Sequence, residues 1–125
     1  MRNRKTPVEE KEMQCGVLMT TNEKNLLVSI AQSLDVPYYI ILRRLVRYIL
    51  DEKVTWEDLF GKNNKLVNEA YDETKKVAIR TQLTVDAYGA FAQLAEEWGS
   101  TTGVILKRLV LLYINGKIER HAIWY

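Results

Sequence analysis

Arg80 and Gln82 stand two residues apart in a segment, 77–83, whose apolar and polar positions alternate. In a strand, that alternation puts Val77, Ile79, Thr81 and Leu83 on one face and Ala78, Arg80 and Gln82 on the other. An arginine presents paired donors to the edge of guanine, and a glutamine carboxamide matches the edge of adenine. A strand carrying both outward therefore has the chemistry to read base edges in a DNA major groove. The plainer reading of both residues is a solvated strand face, and the surrounding elements decide between the two.

No other chemistry stands out. Cys15 is the single cysteine and His121 the single histidine, far apart in sequence, whereas metal ligands come in clusters. No paired acids, nucleophile triad or phosphate loop is present. The sequence thus predicts no catalytic residue, no metal, no cofactor and no enzyme. The formal net charge of +2 is small, so any basic surface must come from placement. One cysteine excludes an intrachain disulfide and suits a reducing, cytoplasmic setting. The apolar stretches 38–50 and 104–114 are interrupted by Arg43, Arg44, Arg47, Lys107 and Arg108. Both fall short of the roughly 20 apolar residues of a membrane span.

The strand belongs to a repeat. Ile41-Leu42-Arg43-Arg44-Leu45-Val46 returns as Ile105-Leu106-Lys107-Arg108-Leu109-Val110, and 105 minus 41 is 64. At that offset Leu27 meets Phe91, Ile30 meets Leu94, Leu34 meets Trp98, and Leu59-Phe60 meets Ile123-Trp124. Each copy reads as a short strand (13–19 and 77–83) and two helices. Thr20 with Glu23 has capping-box spacing, and Asp86 puts a negative charge near the start of the matching helix. Leu27, Ile30, Ala31 and Leu34 form one apolar stripe; Phe91, Leu94, Ala95 and Trp98 form the other. After breaks at Asp35-Val36-Pro37 and at Gly99-Ser100-Thr101-Thr102 come the second helices. These carry Ile41, Leu42, Leu45, Val46 and Ile49, and Ile105, Leu106, Leu109, Val110 and Tyr113. One strand cannot cover two such faces, so neither copy is expected to be stable alone.

A strand, a capped helix, a turn and a longer apolar helix resemble the ribbon-helix-helix superfamily of Arc, MetJ and CopG types. The second copy carries the likeness best: Ile79-Arg80-Thr81-Gln82-Leu83-Thr84, Gly99 after the first helix, hydroxyl residues at the turn, then Val104-Ile105-Leu106. The resemblance implies a mainly α fold with a short antiparallel β-ribbon, two tandem copies forming an intramolecular pseudo-dimer. The expected organisation is a flexible basic arm over 1–12, copy 1 over 13–60, a connector over 61–76 and copy 2 over 77–125.

It also implies function: sequence-specific binding of double-stranded DNA, with the ribbon in the major groove. Such a protein would act as a transcriptional repressor or as an accessory protein of a plasmid or other mobile element, in relaxosome or partition. Further copies on adjacent DNA and a relaxase or other DNA-processing protein are the expected partners. Base readers would be Ala78, Arg80 and Gln82 with, by alignment, Gln14, Gly16 and Leu18. Leu18 suits a thymine methyl, and Gly16 marks a bulge or a close backbone approach. Phosphates would rest on the starts of the second helices, at Ser100, Thr101, Thr102 and Gly103 and at Tyr38 and Tyr39. Arg2, Arg4 and Lys5 would follow the DNA backbone. Arg43, Arg44, Lys107 and Arg108 read as the polar edge of buried helices. The competing class is a protein-interaction module, antitoxin-like or scaffold.

Overall fold

In the computed structural model, which describes residues 12–61 and 76–124, two strands lie on a bundle of helices. The order is β1 (Glu12–Thr20), α1 (Thr21–Leu34), α2 (Tyr38–Leu50), α3 (Trp56–Phe60), β2 (Lys76–Thr84), α4 (Val85–Glu97), α5 (Thr102–Ile114) and a 3-10 turn at Ala122–Trp124. The fold is mainly α with one short antiparallel ribbon. The basic arm, with Arg2, Arg4 and Lys5, and the connector's interior lie outside the described residues. Among the described residues no single helix is long and apolar enough to cross a membrane.

Both strands begin and end one residue beyond their expected limits. They pair antiparallel within the chain, with Glu12 opposite Thr84 and Thr20 opposite Lys76. Their alternation decides which face is covered. Cys15, Val17, Met19, Ile79, Thr81 and Leu83 are buried beneath the ribbon. Burial holds the Cys15 thiol above its ordinary pKa, so it is a neutral core group rather than a nucleophile.

The helix starts follow their caps. Thr20 Oγ1 accepts from the Glu23 amide at 3.1 Å, and Glu23 accepts from the Thr20 amide at 3.0 Å. Thr84 and Thr101 accept from the Ala87 and Val104 amides. Pro37 precedes α2 without a side-chain cap. The turns repeat as well. Asp35 and Gly99 are left-handed, with φ of 62° and 69°, and so are Glu52 and Gly116, at 65° and 79°. Each pair is 64 positions apart. The copies therefore bend alike although only the second uses glycine, which adopts this conformation at little cost.

The core sits between α2 and α5. Ile41, Leu42, Leu45, Val46 and Ile49 are buried there, as are Ile105, Leu106, Leu109, Val110 and Tyr113. Leu27 and Ala31 of α1 and Phe91 and Ala95 of α4 close its flanks; Ile30, Leu34, Leu94 and Trp98 are partly buried. β1 packs on α5 and β2 on α2, so each strand covers the helix of the other copy. The tails cross over likewise. Arg44 stacks on Trp124 at 4.9 Å, and Arg108 stacks on Phe60 at 4.8 Å while donating to the Leu59 carbonyl. Leu59 and Ile123 are buried. Capped by Thr55 and Asp58, residues Trp56–Phe60 form helix α3, an element beyond the two helices expected of copy 1.

Candidate nucleic-acid interface

The exposed face of the ribbon is a ladder of three cross-strand pairs: Gln14 opposite Gln82, Gly16 opposite Arg80, and Leu18 opposite Ala78. All six residues singled out for base reading lie in it. Five are exposed and Gln82 is half-buried. The register runs through Gly16 without a bulge, so of its two expected roles the close approach is the one present. A methyl at position 16 would stand 3.2 Å from Arg80 Cγ and 3.2 Å from the Ile79 carbonyl oxygen.

The start of α5 lies beside one end of this face. A groove is lined there by Gly16, Leu18, Ala78, Arg80, Thr101, Gly103 and Val104, with Lys76 and Lys107. Among the described residues it holds three cations and no carboxylate. Leu18 is 58% exposed and Val104 44%, so its wall is partly apolar. Thr101 caps α5 through the Val104 amide, and the Ser100 amide is used by the Ala95 carbonyl at the end of α4. The Ser100 amide is thus spent on helix α4, which leaves the hydroxyl as that residue's donor at the turn. The amides of Thr102 and Gly103, in the first turn, have no intrahelical partner.

At the other end the groove is lined by Glu12, Arg43, Arg47, Asp51, Gln82 and Thr84. Two cations meet two carboxylates, and Arg47 and Asp51 pair at 3.8 Å. Arg43 Nε donates to the Gln82 carbonyl at 3.1 Å, tying α2 to the ribbon. Beneath it, the buried Thr81 hydroxyl donates to the Tyr39 carbonyl at 2.7 Å. Ile40 uses the Pro37 carbonyl, leaving the Tyr38 and Tyr39 amides as the first-turn donors.

Lys76, Lys107 and Val104 were not legible as site residues. Lys76 fell in the connector, although it continues the outward alternation of Ala78 and Arg80. Lys107 is one turn beyond Gly103, a spacing that puts both on one helix face. His121 is exposed, and among the described residues no cluster of His, Cys, Asp and Glu could hold a metal ion. Compared with known proteins, the chain matches no family model, no curated protein and no solved structure.

Proposed function

We propose that this chain is a sequence-specific double-stranded DNA-binding protein of the ribbon-helix-helix kind, both copies in one polypeptide, acting as an intramolecular pseudo-dimer. The observation that carries the reading is the outward ladder of Gln14, Gly16, Leu18, Ala78, Arg80 and Gln82 beside a groove with three cations and, among the described residues, no carboxylate. The ribbon enters the major groove, which admits a two-stranded β-ribbon. Arg80 and the glutamines contact base edges. Lys76, Lys107 and the Thr102 and Gly103 amides hold the flanking phosphate backbone.

The chain acts in the cytoplasm as a repressor or as an accessory protein of a mobile element, with further copies on adjacent sites or a relaxase as companions. Exposed Leu18 and Val104 favour one competing reading, a surface for a protein partner. Selection from randomised duplex DNA, alongside sequencing of genomic fragments retained by the protein, separates the two. A defined consensus supports DNA reading. Retention without sequence preference, insensitive to salt, refutes it.

A further inference from the structure

Gly16 and Arg80 are counterparts at the 64-residue offset, and they also pair with each other. No other pair in the ribbon has both properties: Glu12 corresponds to Lys76 but faces Thr84. Side chains at these two positions therefore share the midpoint of the ribbon. Two arginines there would be like charges directly opposed, an unfavourable cross-strand pair. Glycine leaves one guanidinium alone at the midpoint.

The backbone does not require that glycine. Gly16 is in a regular strand and is not among the left-handed residues. What glycine supplies is room. A Cβ there would lie 3.2 Å from Arg80 Cγ and 3.9 Å from Nε, whereas directly opposed Cβ atoms ordinarily stand about 4.5–5.5 Å apart. The arginine stem thus leans across the place where a side chain at 16 would be.

We infer that Gly16 is a positioning residue for recognition: it seats the Arg80 stem across the ribbon's midpoint, so that one guanidinium reads one central base pair. This rests on the DNA-reading proposal above. The test uses the full chain and its Gly16→Ala, Arg80→Ala and doubly substituted variants. Each is titrated with four duplexes that differ only at the central pair of the selected site. The wild type should prefer one pair by roughly 5- to 150-fold, the range of a good bidentate contact. Gly16→Ala should cut that preference several-fold, by more than it weakens binding to unrelated DNA. Arg80→Ala should abolish it, and adding Gly16→Ala should then change nothing.

An equal loss on all four duplexes, or a loss as large without Arg80 as with it, overturns the inference and leaves DNA reading intact. Failure of the wild type to select any sequence overturns both. Thermal unfolding shows whether each variant is folded. Should Gly16→Ala not fold, nitrogen relaxation of the Arg80 Nε–H in the wild type decides. It should be more restricted than that of Arg47, whose side chain is 64% exposed; equal mobility overturns the inference.

Discussion

The two ends of the ribbon share a backbone plan and differ in chemistry. At the α5 end, Lys76, Arg80 and Lys107 surround a groove with apolar Leu18, Ala78 and Val104 and, among the described residues, no carboxylate. At the α2 end the corresponding positions hold Glu12, Gly16, Arg43, Gln82, Gln14 and Ile40. There Asp51 pairs with Arg47, and Arg43 is spent on the Gln82 carbonyl. Even the caps diverge: Thr101 starts α5 with a hydroxyl, while Pro37 starts α2 with none. Two copies in one chain are free to diverge in this way, because a change in one is not imposed on the other. What must stay alike is the packing of apolar side chains between α2 and α5. A ribbon with unlike ends is suited to a site with unlike halves, and its consensus should not be palindromic.

The largest expected difference between the ends is electrostatic. Each phosphate neutralised by a lysine contributes about 0.9 to the slope of log affinity against log salt. Replacing Lys76 and Lys107 together with alanine should lower that slope by about 1.8 and weaken binding about 30-fold near 0.15 M salt. Arg43→Ala should lower the slope by less, since Glu12 and Asp51 line the same end and offset its charge there. Titrations at several salt concentrations check both. Equal slopes lost at the two ends would mean that both grip the DNA backbone alike.

A smaller difference lies under the ribbon. Thr81 is 2% exposed and donates to the Tyr39 carbonyl, whereas its counterpart Val17 has no hydroxyl to give. Thr81→Val keeps the shape and removes the bond, so it should cost about 1 kcal/mol in denaturant unfolding. An unchanged midpoint would show that the α2 end does not depend on this tie.

Most of the frame was legible in the sequence because its signals are local and periodic. Strand alternation placed Arg80 and Gln82 outward, and the helical stripes around Leu27 and Phe91 marked the covered faces. The 64-residue offset then carried the assignment to Gln14, Gly16 and Leu18, which have no such pattern of their own. What escaped depends on pairing in space. Arg43 reads as a polar helix edge until β2 brings the Gln82 carbonyl within 3.1 Å. Lys76 reads as connector until its strand is extended by one residue. The backbone amide of Ser100 looks available until it closes α4 on Ala95. Gly16 shows a missing side chain in the sequence, but not the neighbour that leans into its place.

The finest contrast is apolar. Leu18, Ala78 and Val104 give the α5 end a surface that carries no hydrogen bond, and the only apolar group on a base edge in the major groove is the thymine methyl. The α2 end instead offers the carboxamides of Gln14 and Gln82. Replacing thymine by uracil removes that methyl and leaves every hydrogen-bonding edge in place. Burying one such carbon is worth about 0.8 kcal/mol, close to fourfold in affinity. Uracil substituted one position at a time should therefore weaken binding about fourfold at a thymine facing Leu18, and hardly at all in the half-site facing the glutamines. Leu18→Ala should erase the difference, since the outward side chain that meets the methyl is then gone while folding is kept. Methyl sensitivity in both half-sites would mean that the two ends read DNA alike. Sensitivity confined to the glutamine side would reverse the orientation assigned to the ribbon.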